Sequence, residues 1–75
     1  MQVNQLLLGL DFGGTKLTAG LAMIGHSELL ARDQCPTPVR GGPRRVFKEI
    51  VRLARSLAEG STPAAVGVSF GGPVD

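Results

Sequence analysis

Hydrophobic and polar residues follow two different periods along this chain, and the change of period divides it into elements. Residues 6–12 are nearly all apolar, which is typical of a central strand buried on both faces. Residues 16–23 alternate along their length, and residues 28–35 continue as a third strand. Pro36 ends the third strand because proline donates no hydrogen bond to a sheet. The first half therefore predicts three consecutive strands.

A helical period follows in the second half of the chain. Pro43 suits the first turn of a helix, and Gly60 is a stop signal that Pro63 reinforces. The predicted apolar face consists of Val46, Phe47, Ile50, Val51, Leu53, Ala54, Leu57 and Ala58. The predicted outer face consists of Arg44, Arg45, Lys48, Arg52, Arg55 and Glu59. Residues 65–70 then predict a second buried strand.

The order of these elements predicts an α/β fold class. A strand, a crossover helix and another strand imply a parallel pairing. We therefore expect three antiparallel strands, a helix, and a fourth strand that returns parallel to the first. Asp11 and the Gly71-Gly72 loop would then lie at the same edge of the sheet. In open α/β sheets ligands bind at that carboxyl edge.

The run GLDFGGTK carries the main chemical signal. Asp11, near the end of a strand, suits Mg²⁺, through water because this ion gives up its hydration reluctantly. Gly13 and Gly14 can expose backbone N–H groups to phosphate oxygens, since glycine has no Cβ atom and permits positive φ. Thr15 and Lys16 add a hydroxyl and a cation. The run predicts a site for the phosphates and magnesium of a nucleotide.

An ordinary β-hairpin accounts for the same run, with Gly13-Gly14 as its turn and Asp11 as an exposed strand residue. The two interpretations are compatible. Other phosphate loops fit less well, because the Walker spacing is absent and the dinucleotide fingerprint must open a helix. Residues 17–23 continue as a strand instead. A phosphate site here would lie between two antiparallel strands.

Composition narrows the class of protein. A net charge of +2 over 75 residues, without Trp or Tyr, favours a solvated helix face over a nucleic-acid or membrane surface. No apolar stretch is long enough to span a bilayer, and the start lacks the basic region of a signal peptide, so we expect a cytoplasmic protein. We expect Cys35 to be a half-buried strand residue and His26 a solvated turn residue.

Four stretches together closely resemble the N-terminal segment of the ROK family (repressors, open reading frames and kinases), and within it the sugar kinases of glucokinase type. The stretches are residues 9–16, residues 35–38, the helix that begins near Pro43, and residues 67–75. They occur in order and at the expected spacing. The resemblance covers essentially everything from Leu6 onward.

The resemblance implies the actin-like, ribonuclease-H-like ATPase fold, whose two lobes bind ATP and sugar in the cleft between them. Residues 1–75 would form the N-terminal part of the first lobe. The residues implied in binding the outer phosphates of ATP are Gly13, Gly14, Thr15 and Lys16, with Asp11 for Mg²⁺. The resemblance suggests that Gly71 and Gly72 line the sugar side of the cleft.

The implied activity is transfer of the γ-phosphate of ATP to the 6-hydroxyl of a hexose, with glucose the expected sugar. An alternative is the same reaction on an N-acetylhexosamine, because the sugar-selecting residues are expected beyond Asp75. A second alternative is a sugar-responsive transcriptional regulator. Only ten residues precede Asp11, which is too few for the helix-turn-helix segment of that branch.

Several parts of such an enzyme are expected outside this chain. The catalytic base, a zinc site that is cysteine-rich, the adenine pocket and a second phosphate loop would lie beyond Asp75, and the full-length protein is expected to form a homodimer. We therefore expect the chain alone to be inactive. A sheet with one helix also leaves a bare face and an apolar edge. We expect the isolated chain to be unstable, swapped or aggregated.

Overall fold

A single sheet with one helix on it forms the structure, a computed structural model that describes residues 5–26 and 28–71. The elements are β1 (Leu6–Gly13), β2 (Lys16–Met23), β3 (Leu29–Pro36), α1 (Gly42–Leu57) and β4 (Ala65–Gly71). The strand order is β3-β2-β1-β4, with β1 antiparallel to β2 and parallel to β4. The predicted α/β arrangement is confirmed.

Glycines mark both ends of α1. Gly41 precedes the helix with a φ of 99°, a left-handed conformation that side chains rarely adopt. A Cβ atom at Gly41 would also lie 2.6 Å from Cβ of Arg45, so the first turn could not close around a larger residue. Pro43 occupies the first turn, as predicted. Gly60, with a φ of +81°, follows the end of the helix at Leu57.

The core lies mainly between α1 and β2, and no residue of β3 is fully buried. Leu17 and Ile50 have no exposed surface, and burying side chains of this size contributes about 1.5–3 kcal/mol each. A cluster of Leu8, Leu21 and Ala54 extends the core toward β1. The helix contacts β1, β2 and β3 but does not contact β4. The core therefore covers only one half of one sheet face.

Two predictions about burial were wrong. The first strand is not buried on both faces, since Leu7 is 37% exposed on the face opposite the helix. The fourth strand is not buried at all, because all of its residues are exposed. The reason is the same in both cases: α1 sits over β2 and β3, and no second layer covers the opposite face among the described residues.

An open apolar groove of about 570 Å³ runs between α1 and β4. It is lined by Leu10, Phe12, Pro43, Val46, Phe47, Val68 and Phe70. Phe12 and Phe70 stack within it, with ring centroids 5.0 Å apart. Phe70 is nevertheless 77% exposed, and Phe47, predicted for the apolar helix face, is 62% exposed. Phe47 overhangs the groove because the helix does not reach β4.

The two edges of the sheet differ in chemistry. The β3 edge carries Arg32, Asp33 and Pro36, residues that discourage pairing with another strand. The β4 edge has the sequence AVGVSFG, without charge or proline. An unpaired apolar edge of this kind is a template for association. The apolar edge that the sequence predicts is therefore present.

We predict that the isolated chain self-associates through the β4 edge and the groove. Val68 is 51% exposed on the edge strand, and a charge there discourages pairing with another chain. Val68→Lys should therefore lower the mean particle mass measured by light scattering. Ser61→Lys adds the same charge in an exposed loop and should leave association unchanged. A wild-type monomer with a two-state melt would contradict this prediction.

Candidate functional site

The phosphate-loop residues form the turn between β1 and β2. The two strands pair from Leu6↔Met23 to Phe12↔Leu17, and Gly14 and Thr15 connect them. The predicted hairpin of two antiparallel strands at this run is confirmed. Neither Gly13 nor Gly14 has positive φ, however, so the expected left-handed conformation is absent.

Gly13 is required for a steric reason instead. A Cβ atom at Gly13 would lie 2.7 Å from the carbonyl oxygen of Lys16, closer than a carbon atom can approach. At Gly14 a Cβ atom would meet nothing within 4 Å. Gly13 therefore allows the strands to close on each other, whereas Gly14 leaves the outer side of the turn open. An open backbone is what a phosphate oxygen needs to approach N–H groups.

Thr37 holds this turn from the segment that follows β3. Its Oγ1 donates a hydrogen bond of 2.9 Å to the carbonyl oxygen of Gly13. Its backbone N–H donates a second hydrogen bond, also 2.9 Å, to the carbonyl oxygen of Thr15. Sequence reasoning singled out residues 35–38 without a role for them. The sequence did contain a signal for this role. Thr37 stands between two prolines, which have no backbone N–H, and it can donate hydrogen bonds from both its backbone and its hydroxyl.

Lys16 is exposed at the start of β2, beside a shallow pocket of about 210 Å³. Thr15, Gln34, Cys35 and Pro36 complete the lining of this pocket. Within residues 5–26 and 28–71 the ion pairs join Glu49 to Arg45 and Arg52, so none involves Lys16. Its ammonium group is thus available for an anion at the turn.

Cys35 is a half-buried free thiol, as predicted, and His26 is exposed next to a turn, also as predicted.

Asp11 is exposed on the sheet face opposite α1. Its Oδ1 accepts a 2.7 Å hydrogen bond from Oγ of Ser69, its register partner on β4. A Cβ atom at Gly71 would lie 3.6 Å from the same Oδ1, within ordinary contact distance. Asp11 and Gly71 are thus neighbours, as the sequence predicts. Gly72, the other residue predicted for the sugar side, lies outside the described residues.

A row of polar side chains crosses all four strands at the level of Asp11. The members of this polar row are Gln34, Thr18, Asp11 and Ser69, each the register partner of the next. Gln34 Nε2 donates to Thr18 Oγ1 at 3.4 Å, and Ser69 donates to Asp11. Because side chains alternate along a strand, Lys16 lies on this same face of β2. Sequence reasoning missed Thr18 and Ser69, since only strand register reveals the row.

One carboxylate is a sparse ligand set for a metal. No group of three or more His, Cys, Asp or Glu side chains that could hold an ion occurs in the part of the chain that the structure describes. Mg²⁺ keeps several waters and is commonly bound through one or two carboxylates plus substrate phosphates. Asp11, beside a turn open to phosphate, fits that mode. It does not fit a metal held by protein ligands alone.

Comparison with known proteins agrees with this fold. A crystal structure of a ROK hexokinase from Thermus thermophilus matches 95% of this chain at 34% sequence identity, with a TM-score of 0.76. The chain spans 24% of that hexokinase's length. No protein-family model matches the chain, and no curated protein sequence matches it. Over the described residues, no helix has the length and apolarity needed to cross a membrane.

The fold is that of part of an actin-like, ribonuclease-H-like ATPase lobe. Within that class, the predicted resemblance to the N-terminal segment of a ROK-family sugar kinase is confirmed.

We predict that Gly13→Ala destabilises the chain and that Gly14→Ala does not. The new methyl group at position 13 must displace the Lys16 carbonyl, and overpacking of this kind costs about 1–3 kcal/mol. At position 14 the methyl group enters open space. The midpoints of urea unfolding, measured on the full-length protein at one protein concentration, compare the two variants. Equal midpoints would contradict the steric role of Gly13.

We also predict that Thr37→Val loosens the turn. The substitution keeps the branched shape and the backbone N–H but leaves the Gly13 carbonyl without its partner, at a cost of about 1–3 kcal/mol. Thr37→Ser retains the hydroxyl and should recover most of this loss. Hydrogen exchange at the amides of residues 13–16 reports the turn directly. Unchanged exchange in Thr37→Val would show that the side chain does not hold it.

Proposed function

We propose that this chain is the N-terminal part of the first lobe of a ROK-type sugar kinase. The reaction is transfer of the γ-phosphate of ATP to the 6-hydroxyl of a hexose, and glucose is the proposed sugar. The supporting observation is the register of β1, which places the open turn at Gly14 and the carboxylate of Asp11 beside β4. The match to a ROK hexokinase supports sugar-kinase chemistry. The assignment of glucose as the substrate is our proposal.

The ATP side of the site would be built from the turn and its neighbours. The proposed phosphate-binding residues are Gly13, Gly14, Thr15 and Lys16. Open backbone at Gly14 lets N–H groups approach phosphate oxygens, and the unpaired Lys16 in the described region offsets their charge. Mg²⁺ bound with ATP neutralises charge on the transferred group. Asp11 would orient the waters of that ion.

The sugar side would begin where β4 ends. Gly71 and Gly72 are the proposed substrate-binding residues in this chain. Gly71 is the register partner of Gly13, so the ends of the two strands are adjacent across the sheet. In the proposed reaction this arrangement would bring the phosphate-donor and sugar-acceptor sides next to each other. Phosphoryl transfer depends mainly on such positioning and on electrostatic stabilisation.

The remaining parts of the site are proposed to lie in the longer protein. They include the catalytic base, the second phosphate loop, the adenine pocket and a structural zinc site. The chain spans about a quarter of the hexokinase it matches, in keeping with this division. We further propose a cytoplasmic homodimer for the full-length protein, and no kinase activity for the 75-residue chain alone.

A coupled ADP-release assay on the full-length protein tests the proposal. Mg-ATP is supplied with glucose, mannose, N-acetylglucosamine or N-acetylmannosamine. Asp11→Ala should lower kcat/KM by about 10- to 100-fold, the usual loss when a group that orients a metal's ligands is removed. Asp33→Ala is the matched control, because it removes an exposed carboxylate from β3 on the face that carries α1.

Each outcome has a distinct meaning. Turnover on glucose that falls in Asp11→Ala and persists in Asp33→Ala supports the proposed reaction. Turnover only on an N-acetylated sugar supports the chemistry and corrects the substrate. Sugar binding without turnover on any of the four sugars favours a sugar-responsive regulator and contradicts the kinase.

A further inference from the structure

The hydrogen bond between Ser69 and Asp11 joins the two halves of the proposed site. Asp11 belongs to the strand that leads into the phosphate turn, and Ser69 belongs to the strand that leads to Gly71. The two residues are 58 positions apart in the chain, yet they are register partners across β1 and β4. The contact is therefore a consequence of the fold and not of local sequence.

The geometry of this bond is that of a strong interaction. The distance from Ser69 Oγ to Asp11 Oδ1 is 2.7 Å, which is typical of a hydroxyl donating to an ionised carboxylate. A serine hydroxyl can donate one hydrogen bond, and here Asp11 Oδ1 accepts it. Asp11 is the only charged member of the polar row, so no neighbouring charge in that row competes for the carboxylate.

The bond also limits which way the carboxylate can turn. An exposed aspartate is free to rotate, and fixing its rotamer costs conformational entropy at the moment a ligand binds. Oδ1 accepts the hydrogen bond from Ser69 and lies close to Gly71, where a Cβ atom would be 3.6 Å away. The second oxygen, Oδ2, accepts no hydrogen bond from the described residues. It is thereby left available to the waters of a cation.

We propose that Ser69 is a positioning residue that holds the Asp11 carboxylate ready for the hydrated Mg²⁺ of Mg-ATP. This inference rests on the proposed function and adds a residue to it. Ser69 would act through Asp11 and would not itself touch the nucleotide. Thr18, on the other side of Asp11 in the polar row, has no such bond to the carboxylate and instead accepts one from Gln34.

The test compares nucleotide binding with and without a metal in the full-length protein. Mn²⁺ replaces Mg²⁺ as a paramagnetic probe, and the enhancement of water-proton relaxation, which rises when Mn-ATP binds to the slowly tumbling protein, measures the bound complex. Ser69→Ala should weaken binding of Mn-ATP about tenfold, as removal of an outer-shell partner usually does. Binding of ATP in EDTA, and the melting temperature, should stay at wild-type values.

Three further variants separate positioning from a structural role. Ser69→Thr keeps the hydroxyl and should restore Mn-ATP binding. Thr18→Val removes a hydroxyl from the same row and should leave Mn-ATP binding unchanged. In an Asp11→Ala background Ser69→Ala should have no further effect, because a residue that acts through Asp11 loses its influence when Asp11 is gone.

The results that overturn the inference are specific. If Ser69→Ala binds Mn-ATP as tightly as the wild-type protein, Ser69 is not a positioning residue, and the kinase proposal is unaffected. An equal loss of Mn-ATP and metal-free ATP, or additive losses in the double variant, would show that Ser69 supports the sheet only. Absence of any nucleotide binding by the wild-type protein would overturn the proposed function and this inference with it.

Discussion

The register of β1 with its two neighbours is the constraint on which the rest of the structure depends. A slip of one residue would transfer every side chain of β1 to the other face of the sheet. In the observed register Leu8 and Leu10 face the helix, while Asp11 lies on the opposite face beside Ser69. The apolar contacts that fix the core thus also fix where the one carboxylate of the site lies. Stability and site geometry have the same cause.

The turn at the end of β1 illustrates how the site is supported from outside its own sequence. Gly13 permits close approach to the Lys16 carbonyl, and Thr37 holds the turn through two hydrogen bonds from the segment after β3. The third strand therefore has two roles, since it forms an edge of the sheet and delivers Thr37. The turn keeps this shape without left-handed glycines, because neighbouring backbone and side chains contact it.

Much of the fold could be predicted from the sequence because its signals are local. Alternation in residues 16–23 gave the bounds of β2, and Pro43 and Gly60 bracketed the helix. The burial of β1 and β4 could not be predicted, because an apolar run indicates that a strand suits burial but not which element covers each of its faces. The contact of Ser69 with Asp11 could not be predicted either, because it comes from register with a residue 58 positions away, which no local pattern records.

The most direct test of the account is a crystal structure of the full-length protein with Mg²⁺, a non-hydrolysable ATP analogue and glucose. The account predicts phosphate oxygens at the backbone N–H groups of the Gly13–Lys16 turn. It also predicts the ion within one water of Asp11, and the sugar beyond Gly71. An ion and phosphates bound elsewhere, with the Asp11 carboxylate facing only solvent and Ser69, would contradict the central claim that β1 carries the phosphate site.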